Sequence, residues 1–133
     1  MKETLIPITE DTKFTDAYHF TQSAIDAFSN VCPRIPSVMK KISQNIYGRF
    51  DEAAYNLYAA SNEDNIEKKI EYLETAQQNL FFQYSSIESI VRGKGLTIGA
   101  ANEVLRVIKI AHENTVKWLR YEKKQARALK ARD

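Results

Sequence analysis

Arg106, Lys109, Lys117, Arg120, Lys124 and Arg127 recur at intervals of three, eight, three, four and three residues. At 3.6 residues per turn these positions fall within an arc of about 80° on one α-helix, in a row about 30 Å long. Each such side chain can neutralise a backbone phosphate and release its counterions, which is the chemistry of nucleic-acid binding. Glu113 interrupts the row once. Lys123 stands next to it, and Lys40, Lys41, Arg92 and Lys94 are cations that could extend the surface. The charge is unevenly spread. From Arg120 onward six basic residues stand against two acidic ones, a net of +4 in 14 residues, so the rest of this +2 chain sums to −2. A basic segment on a near-neutral body points to an anionic partner. The bland alternative is a solvated helix end, where cations also favour the negative end of the dipole.

No other set of residues composes a reaction centre. Glu67, Glu71 and Glu74 alternate with Lys68 and Lys69, as a solvated face does. Ser85, Ser86 and Ser89 sit in no nucleophile motif. The Glu-x-x-His pairs of carboxylate di-iron bundles are missing, and no second His or Cys stands at a metal-ligand spacing from His112, which reads as a packed core residue. His19 points away from the apolar side of its helix. Gly93-Lys94-Gly95 could cradle a phosphate, but no strand precedes it and no full phosphate-loop motif is present. The chain therefore reads as non-enzymatic, with no metal and no cofactor.

The elements that must position the cationic row are four long helices. Phe14, Ala17, Tyr18, Thr21, Ala24, Ile25 and Phe28 mark one face of a helix over 13–30, with Thr12 as a candidate cap. Pro33 and Pro36 forbid its continuation and make a corner, with Ser37 placed to cap the next helix. That helix, over 38–60, carries Met39, Ile42, Ile46, Phe50, Ala53 and Leu57 on its inner face, with Arg49 at the edge, snorkelling or paired with an acid. Asn65 or Asp64 caps a third helix over 66–91, whose stripe runs from Ile66 through Leu73 and Leu80 to Ile87. Gly93 and Gly95 stop it by taking left-handed conformations. Thr97 caps a fourth over 98–124 or beyond, with Val104, Ile108, Thr115 and Trp118 facing inward. The resulting architecture is an all-α, antiparallel up-down-up-down four-helix bundle. It divides into a lead-in over 1–12, the bundle over 13–124 and a basic tail over 125–133.

With 133 residues, 44% of them hydrophobic and 27% charged, the chain has the size and composition of one globular domain. No stretch reaches the roughly 20 apolar residues of a membrane span, and no apolar run of signal-peptide length opens the sequence. The single Cys32 excludes an internal disulfide. A cytoplasmic protein without a membrane partner is expected. Tyr47, Tyr58, Tyr72, Phe82, Val107 and Ile110, with Phe20 and Ile90, lie off the apolar stripes. So many outward apolar residues favour packing between subunits.

Pro33-Arg34 before the second helix, the run Lys69…Leu73…Ala76…Leu80 in the third, and Glu103-Val104…Trp118-Leu119 followed by basic residues form a recognisable order. Over about 14–124 the chain resembles a bacterial four-helix-bundle superfamily. It includes the accessory variability determinant of diversity-generating retroelements and proteins encoded by intervening sequences in 23S ribosomal RNA genes. The resemblance implies a homo-pentamer with a positively charged surface that engages a reverse transcriptase and its template RNA; the ribosomal members have no settled activity. The expectation is thus an oligomeric accessory protein that binds RNA or DNA and a reverse transcriptase. Arg92, Lys94, Arg106, Lys109, Lys117, Arg120, Lys123, Lys124 and Arg127 are the contact residues. A structural or protein-interaction bundle with no nucleic-acid role is the alternative.

Overall fold

The computed structural model describes residues 12–132. The lead-in before Thr12 and the Thr12 side chain offered as a cap lie outside what is described. Four helices follow one another: α1 (Thr12–Val31), α2 (Lys40–Ser61), α3 (Ile66–Arg92) and α4 (Ile98–Arg132). They pack in a ring, α1 on α2, α2 on α3, α3 on α4 and α4 back on α1. Pairs across each seam run in opposite directions along the two helices. Ser29 meets Tyr47, Gln83 bonds the carbonyl of Ile46, and Gln77 and His112 bond each other. Phe14 at the start of α1 lies edge-on against Trp118 late in α4. The all-α, antiparallel four-helix bundle expected from the pattern is what the chain forms.

Two clusters make the core. The larger gathers Phe28, Ile46, Phe50, Leu80, Ile87, Ile90, Val104 and Ile108. The smaller gathers Phe14, Leu57, Leu73, Trp118 and Leu119. Polar residues are buried with them: Thr21 on α1, Ser43 and Asn56 on α2, Asn79 and Gln83 on α3, and Thr115 and Glu122 on α4. The two threonines donate to their own i−4 carbonyls at 2.8 and 2.9 Å, and Asn56 Nδ2 donates to the Glu52 carbonyl, so these three are satisfied, whereas the buried Asn79 Nδ2 finds no partner among the described residues. Ile90, read from sequence as outward, is fully buried. A helix with two neighbours in a ring buries a wider arc than one apolar stripe.

The expected caps divide. Asn65 Oδ1 accepts from Lys68 N–H and Thr97 Oγ1 from Ala100 N–H, both at 3.1 Å, so the starts of α3 and α4 are as expected. Ser37 caps nothing. Its turn is a 3₁₀ turn closed by Met39 N–H on the Pro36 carbonyl at 2.9 Å, and α2 begins three residues later, at Lys40, without a side-chain cap.

The glycine loop also differs from expectation. Neither glycine is left-handed; Lys94 is, at φ 62°. Gly95 N–H bonds the Ile90 carbonyl and Lys94 N–H the Val91 carbonyl, which is the double closure of a Schellman end with lysine where glycine is usual. The glycines serve close approach instead. A Cβ on Gly95 would lie 2.5 Å from Met39 Sδ and 2.8 Å from Ile90 Cγ2, and one on Gly93 would collide with Met39 Cε. Met39 thereby clamps the proline corner onto the loop before α4.

Candidate nucleic-acid interface

α4 is 35 residues long, the longest of the four helices, and continues through 125–132. Its inner face buries Val104, Ile108, Ala111, Thr115, Trp118 and Glu122. Burial of that face fixes the helix rotation and turns the opposite face to solvent. Arg106, Lys109, Lys117, Arg120, Lys124 and Arg127 are all exposed there. Among the described residues none of the six is held in an ion pair. Lys123 differs, since its Nζ lies 3.6 Å from Glu74 on α3. On the inner side Lys69 approaches the buried Glu122 at 4.0 Å.

Arg92 and Lys94 sit at the other end of the bundle, both exposed, with Arg92 Nη2 donating to Ser89 Oγ at 3.4 Å. Because Met39 is seated on the glycine loop, the exposed Arg34, Lys40 and Lys41 come to the same end.

The expected subunit-facing residues occupy unlike places. Tyr47 packs its ring edge-on against Phe28 and shares a hydrogen bond with Ser29 at 2.9 Å; burial raises its pKa first of all, with the Ser29 bond acting the other way. Tyr72 and Val107 are half-buried against the bundle's own clusters, Phe20 also leans on the larger one, and Ile110 is half-buried. Tyr58 and Phe82 are exposed. Arg49, at the edge of the α2 stripe, lies over the Phe82 ring 4.6 Å from its centre.

Sequence reasoning passed over Phe81. The residue is 59% exposed, yet it is not isolated. Its centroid lies 6.0 Å from the His112 ring and 6.1 Å from Tyr84. Tyr84 meets His112 edge-on, and Gln77 Nε2 bonds His112 Nε2 at 3.1 Å. Burial lowers the His112 pKa, with the Glu113 carboxylate acting the other way. Burial, then Glu113, raises that of Tyr84. The sequence signal was the Phe81-Phe82 pair. Two consecutive residues sit about 100° apart on a helix, so with Leu80 facing inward both rings cannot be core.

Two hollows lie along this side of the molecule. One, of about 340 Å³, is lined by Val91, Arg92, Ile98 and Leu105 among others. The next, of about 260 Å³, is lined by His112, Val116, Lys117 and Arg120, with Glu113. A third, of about 350 Å³, lies further along the same pair of helices, between the start of α3 and the end of α4, and is lined by Glu67, Glu71 and Glu74 as well as Ile70, Leu129 and Lys130. The first sets Arg92 beside Glu88 and the second sets Lys117 and Arg120 beside Glu113; the third, with three carboxylates to one lysine, is acidic. No helix is long and apolar enough to cross a membrane among the described residues. Comparison of the chain with family models, with curated proteins and with solved structures finds no match.

Proposed function

We propose that the chain is a non-enzymatic, oligomeric accessory protein that binds nucleic acid, RNA or DNA, through the outward face of α4. What supports this reading above all is the row of six exposed cations without ionic partners among the described residues. A row that merely solubilises a helix is normally laced with acids at i±4, and here Glu113 is the lone acid in the arc. Arg92, Lys94 and Lys123 extend the contact surface. The resemblance to the accessory variability determinant narrows the partner to the reverse transcriptase of a diversity-generating retroelement, in a cytoplasmic homo-pentamer. Tyr47, Tyr58, Tyr72, Phe82, Val107 and Ile110 belong to its subunit contacts, Tyr58 and Phe82 offering the most exposed rings among them.

The test is binding of labelled RNA and DNA across a salt series. The logarithm of affinity is expected to fall linearly with the logarithm of salt concentration. Reversal of Lys117, Arg120 and Lys124 to Glu should cut that slope by at least about 2, at roughly 0.7–0.9 per lost phosphate contact. Helix content and melting temperature should stay unchanged, because all three side chains are exposed. Salt-independent binding, or none at low salt, overturns the reading and leaves the protein-interaction bundle.

A further inference from the structure

Phe81 and Phe82 are neighbours with different surroundings. Phe82 has its face covered by the Arg49 guanidinium. Phe81 touches Tyr84 and His112 through tilted and edge-on contacts and leaves more than half of its surface to water. Tyr84 and His112 are half-buried and hold it in place from beneath. His112 also lines the hollow rimmed by Lys117 and Arg120, and Lys109 lies one turn before it on the same helix. An apolar ring is thus fixed against the histidine that lines this hollow, whose wall also carries Lys117, Arg120 and Glu113. A cation row alone suits any nucleic-acid backbone. An open ring beside it suits a base whose face is free, and bases in a duplex have their faces covered by their neighbours.

We propose that the α3–α4 seam takes single-stranded nucleic acid, with one base stacked on Phe81 and the neighbouring phosphates on Lys109, Lys117 and Arg120. The inference rests on the nucleic-acid reading above and specifies its strand state. Lys109 and Lys117 are eight residues apart, about 12 Å along the helix, so both can reach phosphates of one short strand. Beyond Lys124 the strand would meet Glu67, Glu71 and Glu74 around the third hollow, so the seam ends there by charge repulsion. Towards the other end the hollow past Leu105 sets Arg92 beside a single carboxylate, Glu88.

The experiment compares a fluorescein-labelled mixed-sequence 20-mer, single-stranded and as its duplex, by anisotropy at fixed low salt and over a salt series, with the full chain. The single strand should bind more tightly than the duplex. Phe81→Ala should weaken single-strand binding about tenfold, the order measured for loss of one stacked base, with the salt slope unchanged, because no phosphate contact is lost. Phe81→Tyr should restore the binding. Tyr55→Ala, a similarly exposed ring on α2, should leave it unchanged. If duplex and single strand bind alike and Phe81→Ala has no effect, the stacking site is wrong while the cation row stands. If neither form binds at low salt, the nucleic-acid reading itself fails. If Phe81→Ala instead lowers the solution mass by light scattering, the ring faces a second copy of the chain and the stacking site is overturned.

Discussion

The first part of α4, to Glu122, and its last ten described residues are built from the same residue types in different company. In the first part Val104, Ile108, Thr115 and Trp118 are buried between α1 and α3, and the cations on the opposite face meet no acid of the fold except Glu113 in sequence. In the last part the inner face runs past the start of α1. Leu129 is 49% exposed, and Ala126 is half-buried. Two of the cations there look across at α3, where Lys123 pairs with Glu74, and Lys130 lines a hollow with Glu67 and Glu71; Lys124 and Arg127 stay exposed on the outward face. A run of Lys and Arg therefore becomes a site for an outside anion only where the fold does not supply its own carboxylates. On that ground the stretch from Arg106 to Arg120 is the stronger half of the row, although the sequence concentrates positive charge after it.

The largest expected effect breaks the helix into these halves. Ile108→Ala removes a fully buried side chain from the larger cluster and should cost about 2–5 kcal/mol, through lost transfer energy and the cavity left behind. Leu129→Ala, of similar chemistry, should cost less than about 1 kcal/mol, because half its surface already meets water. Urea unfolding of the two variants measures both. Equal losses would mean that the end of α4 is held as firmly as its middle, and the contrast drawn above would fail.

The four helices were legible in the sequence because each carries a 3.6-period stripe that water exclusion must bury. Asn65 and Thr97 were legible because a cap needs only its own side chain and the next three backbone groups. Ser37 was not, since the geometry there is set by the Pro36 carbonyl, and the same Ser could serve either turn. Tyr47 and Val107 lie off the stripes yet lean on the bundle's own core, a consequence of ring packing that no single-helix projection contains. Phe81 escaped for the converse reason: what distinguishes it from Phe82 is the presence of Arg49 on another helix.

The next effect sharpens what holds the beginning of α4. Gly95→Ala sets a methyl against Met39 Sδ and Ile90 Cγ2. Met39 can swing aside, but Ile90 is fully buried and cannot, so a cost of about 1–3 kcal/mol is expected, as for other overpacked sites. Met39→Ala in the same chain should recover part of that loss, giving a favourable coupling in a double-mutant cycle. Strict additivity of the two changes would show that the corner and the loop are not clamped together.

The smallest effect concerns the charge kept at that end. Lys94 occupies a left-handed position at φ 62°, where a side chain costs about 1–2 kcal/mol that glycine does not. Lys94→Gly relieves this, while glycine's greater freedom in the unfolded chain takes back about 0.5–1 kcal/mol. A net gain of about 0.5–1 kcal/mol is expected in urea unfolding. If Lys94 extends the anion-binding surface beside Arg92, the same variant should lose affinity for nucleic acid and one step, about 0.7–0.9, of the salt slope. A stabler protein that binds less well would give the strained lysine a purpose. Gain of stability with binding intact would confine the working surface to the middle of α4, where the fold leaves its cations unanswered.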